Sequence, residues 1–356
     1  MKLALTDLVQ LASLPVDTLI DARSPAEYAE DHLPGAINLP SLSDAERAEV
    51  GRVYVQVDRF RARRIGAALV ARNVAAHLEG PLAEKDGGWR PLVYCWRGGQ
   101  RSGSFASILD QIGWRVSVLE GGYRAYRRLV ADMLYTAKLP LALVLLDGNT
   151  GTAKTRLLDL LEEAGVQTID LEGLANHRGS ALGGRTGGQP SQKLFEGRLA
   201  RRIAALDPSR PVVIEAESHK VGTRIVPPSL WTAMKAAPVV RITAPVAARA
   251  AYLAKAYGDM TDQPDLLKAN LDMLRPLRGD QVVDRWQEMV DAEDFYSLAG
   301  QLIVQHYDPG YDRARARHTM GAPATLALPA LDEASLKAAV PELVTAVERV
   351  AGATLP

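Results

Sequence analysis

The sequence predicts an α/β protein built from two successive parallel-sheet domains, and three observations carry that prediction. Short apolar runs of strand length alternate with helical patterns through the first 137 residues. The same alternation restarts near Leu139 after the polar stretch Tyr135–Pro140. Cap and turn signals punctuate both series, and strands that alternate with helices in this way imply a parallel sheet covered by helices.

In the first series, "DTLIDA" reads as a strand, and "SPAEYAE" opens a short helix with Ser24 as N-cap and Pro25 at its first position. "AINLP" and "PLVYC" are strand ends, "SGSFASILDQIG" is a helix closed by Gly113, and "RVSVLEGG" is a strand running into a turn. In the second, "LALVLLD" is a buried strand. Ala153 to Glu163 is a helix with Leu157, Leu158, Leu160 and Leu161 turned inward, ended by Gly165. "VQTIDL", "PVVIEAES" and "PVVRITA" are further strands, the segment from Pro245 to about Arg278 is helical in pattern, and the tail reads as a closing helix interrupted by Pro341. The domains are therefore placed at 1–137 and 138–356, the second carrying the C-terminal helices.

Composition excludes several classes. The 356 residues suffice for two cores without staples, and the single cysteine cannot form an internal disulfide, so no structural metal or bridge is expected. The N-terminal apolar stretch is broken by Asp7 and Gln10 before it could serve as a signal peptide, which points to the cytoplasm. The longest apolar run, Leu139 to Leu146, is far short of the ~20 residues a membrane span needs. Lys plus Arg and Asp plus Glu both number 42, so only local basic clusters can speak for a polyanionic partner. Those clusters are Asp58–Arg64, Arg124–Arg128, Asn176–Arg185 and Gly197–Arg202, and each taken alone reads as a solvated helix face.

The cysteine stands in "VYCWRGGQRSGS". Cys95 ends a strand and the next helix begins near Ser102, so a tight loop aims backbone N–H groups and the helix's positive end inward. In such a field a thiol pKa falls from ~8.5 to roughly 3.5–7.5. Gly98 and Gly99 let the loop curl around an anion, Arg97 and Arg101 add charge, and Gln100 and Ser102 complete it. The competing reading, a small buried hydrophobe, describes most lone cysteines. On "DARSPAEYAEDHLPGAINLP" and "VYCWRGGQRS" the first half resembles a rhodanese domain, which implies that Cys95 is the group-carrying thiol and that Asp21 and Arg23 are a buried structural pair. The loop is one residue longer than in common rhodaneses, with an arginine six places after the cysteine as in Cys-based phosphatases. A wider nest fits a larger tetrahedral anion and keeps a phosphatase reading open.

"LLDGNTGTAKTRLL" follows a strand and opens a helix, the context of a phosphate-binding loop. Gly148, Asn149, Thr150, Gly151, Thr152, Lys154 and Thr155 take its positions, with Ala153 where the second glycine belongs. The methyl is expected where phosphate approaches closely, which puts nucleotide hydrolysis in doubt but not diphosphate binding. Glu215, or alternatively Glu217, ends a later strand where a carboxylate for Mg²⁺ is expected.

The order of the two halves, with "CWRGGQRS", "GNTGTAKT", "NHRGS", "QPSQKLFE" and "IEAES", resembles the bacterial tRNA 2-selenouridine synthase family over nearly the whole chain. The resemblance implies replacement of sulfur by selenium in wobble 2-thiouridine of tRNA. It names selenophosphate and geranyl diphosphate as substrates, an S-geranyl intermediate, no tightly bound cofactor beyond Mg²⁺, and a selenophosphate supplier as partner. The anticodon loop is then expected to lie across the domain junction, with His177, Arg178, Ser180, Arg185 and the arginines at 61–64 as contacts. Two rival readings are a rhodanese-type sulfurtransferase fused to a small-molecule kinase or NTPase, and a binding module whose two loops have decayed.

Overall fold

The computed structural model describes residues 1–180, 182–317 and 324–352. They form two compact units, Met1–Lys138 with Pro190–Ala205, and Leu139–Gln189 with Leu206–Pro356.

The first unit holds strands β1 (Lys2–Leu3), β2 (Thr18–Asp21), β3 (Ile37–Asn38), β4 (Pro91–Tyr94) and β5 (Ser117–Leu119), all parallel, in the order β1-β5-β4-β2-β3. Its helices are α1 (Pro25–Glu30), α2 (Asp44–Gln56), α3 (Arg59–Glu79), α4 (Gln100–Ile112) and α5 (Gly122–Ala131). Ile20 and Val93 of the central strands pack with Val74, Phe105 and Leu109, and Trp89 meets Trp114 edge-on at 4.9 Å. β4 is buried along its whole length, as a strand covered on both faces must be. The N-terminal stretch supplies an edge strand, Lys2 pairing with Val118. The Asp58–Arg64 cluster opens α3: Asp58 caps it by accepting from the Arg61 amide, and Arg59, Arg61, Arg63 and Arg64 are exposed.

The second unit is built on β6 (Ala142–Gly148), β7 (Gln167–Ile169), β8 (Pro211–Glu215), β11 (Val239–Thr243) and β12 (Ala324–Ala327), again all parallel, in the order β12-β11-β6-β8-β7. A small antiparallel pair, β9 (Lys220–Val221) with β10 (Arg224–Ile225), follows β8. The helices of this part of the chain are α6 (Lys154–Glu163), α7 (Leu171–Leu174), α9 (Pro228–Ala236) and α10 (Val246–Ala256), then α11 (Gly258–Thr261), α12 (Pro264–Asp272), α13 (Arg275–Arg278), α14 (Asp280–Asp291), α15 (Phe295–Leu302), α16 (Asp308–Arg317) and α17 (Glu333–Gly352). Leu157, Leu158, Leu160 and Leu161 of α6 are buried against the sheet and against Leu336, Leu343 and Val347 of α17.

The tail departs from expectation: α17 is one helix straight through Pro341. Pro341 lies on its exposed face, where water can satisfy the freed carbonyl, and the apolar stripe from Leu336 to Ala351 continues past it. The strand β12 was not legible from sequence, since four residues of "ATLA" carry little pattern. The helix α8 (Gln192–Ala204) belongs to the first unit although it lies between β7 and β8 in sequence. Its N-cap Ser191 and Lys193 bond Glu30, and its Glu196 bonds Arg127 and Tyr135. The "QPSQKLFE" stretch, opaque as residue chemistry, is thus largely an anchor.

Candidate functional site

Two loops of like design, one in each unit, carry the candidate chemistry. In the first unit Cys95 follows β4, and α4 starts five residues later with Gly99 as its N-cap. The thiol accepts from the Ser102 hydroxyl at 3.1 Å. Burial raises the thiol's pKa, but hydrogen bonds from the Ser102 hydroxyl and from the backbone at Ser102, Arg97 and Gly99 outweigh it, and the group is held below the usual cysteine value. The residue is only 4% exposed, yet polar donors surround its sulfur, so this is a nest and not an apolar interior.

Glycine is required where the loop closes. Gly98 has φ +65°, and a Cβ there would lie 2.5 Å from the Leu119 carbonyl. Gly122, not singled out from sequence, has φ +58°, and its Cβ would fall 2.2 Å from the Cys95 carbonyl and 2.5 Å from the Gly98 amide. The Tyr123 amide donates to the Cys95 carbonyl at 2.9 Å, which seals the turn. Gly122→Ala is therefore expected to displace the loop and raise the pH at which iodoacetamide alkylates the thiol; an unaltered alkylation profile would count against the nest as the cause of the low pKa.

The two arginines differ. Arg97 is exposed beside the nest, whereas Arg101 donates to Glu27 at 2.7 Å, so its guanidinium is engaged away from the thiol. Gln100 is exposed at the start of α4. Beneath the loop, Arg23 and Asp21 form the expected buried pair at 2.7 Å, with Arg23 stacked over Tyr123 at 4.0 Å and donating to the Asp31 carbonyl.

In the second unit Gly148 ends β6 and Lys154 begins α6. Gly151 has φ +84° and Ala153 φ +59°, so Ala153 adopts the left-handed conformation that a glycine would take at this place. Its methyl is 4% exposed and belongs to the core cluster with Val144 and Leu157. The expected methyl in the path of a phosphate is thus corrected: the extra carbon packs inward. Thr152 caps the turn by donating to the Asn149 carbonyl at 2.8 Å, and Lys154 Nζ donates to the Gly148 carbonyl at 2.8 Å. Residues far along the chain hold the loop. Arg249 donates to the Thr150 carbonyl and pairs with Asp308, which also accepts from Asn149, and Tyr311 lies 3.4 Å from the Thr150 hydroxyl. None of these three was legible from sequence.

Carboxylates gather beside Lys154 and Thr155. The Thr155 hydroxyl donates to Glu172 at 3.2 Å, and Glu215 accepts from the Glu172 amide at 2.7 Å while its other oxygen is buried without a partner. Burial, then the neighbouring Glu172 charge, pushes Glu217 up to about 7; burial, then Asp170 and Glu172, pushes Glu215 well above the carboxylate range. Hard oxygen donors in excess over one lysine suit Mg²⁺, which takes one or two carboxylates and leaves the remaining positions to water and phosphate. Among the described residues no three His, Cys, Asp or Glu groups enclose a metal by themselves. Of the two expected carboxylates, Glu215 is engaged by the Glu172 amide, while Glu217 lies beside Glu172; Thr155, Glu172 and Glu217 could hold the ion, and Glu172 was not singled out from sequence.

The loop bearing His177, Arg178, Ser180 and Arg185 lies on this cluster. A Cβ at Gly179 would fall 2.6 Å from Glu172 and 2.9 Å from Glu217, and burial lowers the His177 pKa. Arg178 stacks over Tyr257 at 4.6 Å and donates to the Gly184 carbonyl, and Arg185 acts on Glu172 through its charge. The amides of Gly179 and Ser180 are used within the loop. Gln189 ties its end to Ala175, Val221 and Thr223. The phosphate loop also borders an apolar pocket walled by α10, α15 and their neighbours. Among the described residues no helix is long and apolar enough to cross a membrane.

Comparison with known proteins agrees with the two-unit α/β fold. Residues 5–129 match the rhodanese-like domain model, and residues 141–272 match the model of the tRNA 2-selenouridine synthase AAA domain. The tRNA 2-selenouridine synthase of Hahella chejuensis is 35% identical over 324 residues, 86% of this chain and 79% of that protein. That of Alcanivorax borkumensis is 32% identical over 332 residues, covering 84% and 90%. The match to the Pseudomonas syringae pv. syringae protein is 39% identical over 232 residues and spans 60% of that relative's length. A rhodanese unit with its thiol in an anion nest, a phosphate-loop unit, and this extent of identity place the chain in the tRNA 2-selenouridine synthase family.

Proposed function

We propose that the chain converts wobble 2-thiouridine of tRNA into 2-selenouridine in two steps, one at each loop, and the observation that carries the reading is the depressed Cys95 thiol in its nest of donors. The first step is S-geranylation. The thiocarbonyl sulfur attacks C1 of geranyl diphosphate, the C–S bond forms, the C–O bond breaks, N3 loses its proton, and diphosphate leaves against Lys154 and the loop amides. Mg²⁺ at Thr155 and Glu172 would add positive charge for that leaving group. Alkylation turns the sulfur into a group that can depart.

In the second step selenophosphate enters the Cys95 loop, whose extra residue leaves room for a tetrahedral anion. The thiolate attacks phosphorus, the P–Se bond breaks, and hydrogenselenide adds to C2 of the base as geranylthiol departs. Water then cleaves the S–P bond and regenerates the thiol. A phosphatase reading is weaker because a phosphate ester's alkoxide needs a general acid in order to leave, whereas hydrogenselenide is a weak base that leaves without one.

The test is incubation of the protein with tRNA carrying 2-thiouridine, geranyl diphosphate and selenophosphate, followed by mass spectrometry of the nucleosides. 2-Selenouridine is expected with the wild type, and Lys154→Ala is expected to leave 2-thiouridine unchanged. Unchanged 2-thiouridine in the wild type, with nucleotide hydrolysis in its place, would favour a sulfurtransferase fused to an NTPase.

A further inference from the structure

We infer that the apolar pocket beside the phosphate loop is the seat of the isoprenoid chain, and that its walls measure the chain's length; this rests on the prenyl diphosphate reading above. The pocket spans about 500 Å³ of non-atom space, open solvent at its mouth included. Thr150 belongs to both structures: it is part of the phosphate loop and part of the pocket wall. Leu253, another wall residue, lies 3.0 Å from where a Cβ on Gly151 would stand, so the loop backbone presses directly on the pocket. A ligand whose diphosphate occupies the loop therefore has its other end delivered to this wall.

The chemistry of the wall selects that end. Leu253, Met260, Leu267, Phe295, Leu298 and Leu302 offer hydrocarbon and thioether. Hydroxyls on Thr150, Thr261, Tyr257 and Tyr307 are the only side-chain polar groups among the described lining residues. A nucleoside would leave its base edges and ribose without partners there, at a cost an alkenyl chain does not meet. Met260, Leu267 and Leu298 of the wall also pack in the helical cluster around the fully buried Trp286, so that side of the pocket is backed by core.

Two half-buried wall positions allow a test without emptying the core. Ala254→Phe narrows the pocket and Phe295→Ala enlarges it. Calorimetric titration of the full chain with diphosphate, dimethylallyl, geranyl and farnesyl diphosphates reads both. Ala254→Phe is expected to weaken geranyl diphosphate at least about tenfold, the lower end for a methylene's worth of room, while inorganic diphosphate binds as in the wild type. Phe295→Ala is expected to shift the farnesyl-to-geranyl preference by a similar factor. If the wild type favours geranyl diphosphate over diphosphate but neither variant changes the order of chain lengths, the pocket assignment falls and the prenyl reading stands. If the wild type binds all four alike, the prenyl reading itself falls, and the pocket assignment with it.

Discussion

Cys95→Ala is expected to abolish selenium incorporation, by at least about 10³-fold, while leaving S-geranylation of 2-thiouridine close to wild type. The size follows from the role: removing a nucleophile removes a bond-forming partner and not merely one favourable contact, and losses of this order or larger accompany such removals. The selectivity follows from the proposed division of labour, in which the diphosphate leaves against Lys154 and the thiol takes no part. Folding should be little affected, because a methyl replaces a small side chain that serves as acceptor to the Ser102 hydroxyl and the loop amides and, among the described residues, anchors no other side chain by a hydrogen bond. The measurement is single-turnover conversion of S-geranyl-2-thiouridine tRNA with selenophosphate, alongside geranylation of the unmodified substrate. Equal loss of both steps would sink the assignment of one loop to each step. Selenation that persists in the variant would instead make the thiol a bystander.

The second large effect is on stability. Arg23→Met is expected to cost the protein about 3–5 kcal/mol, the penalty for stranding one member of a buried ion pair. Asp21 is 0% and Arg23 1% exposed, and the arginine also donates to the Asp31 carbonyl and stacks on Tyr123, so Asp21 would be left charged, buried and short of donors. Against a total of about 5–15 kcal/mol this is a large fraction. Urea denaturation measures it, and Asp21→Asn combined with Arg23→Met should recover part of the loss, because the double change removes the stranded charge. A loss under about 1 kcal/mol for the single change would mean that water reaches the pair and that Asp21 is not stranded.

What the sequence revealed and what it hid divide along contact distance. Parallel strands buried on both faces read as apolar runs, so β4, β6, β8 and β11 stood out, and the thiol loop and phosphate loop are continuous in sequence. The fasteners of those loops are not. Asp308 holds Asn149 from 159 residues away, and Arg249 reaches Thr150 across 99. Gly122 matters because its backbone passes under Cys95, which no local pattern records. Glu172 sits in a four-residue helix capped by Asp170, too short to show periodicity. Arg101 looked like a phosphate clamp until a carboxylate on another helix claimed it.

The placement of α8 has a practical corollary. The polypeptide passes between the compact units three times, after Lys138, after Gln189 and after Ala205, so the two halves are not beads on a string. A fragment ended at Lys138 would forfeit Phe195, Leu199 and Ile203, and the complementary fragment would carry that greasy segment with nothing to cover it. Dissection or domain exchange in this protein must therefore move residues 190–205 with the N-terminal piece, through a circular permutation or a second cut.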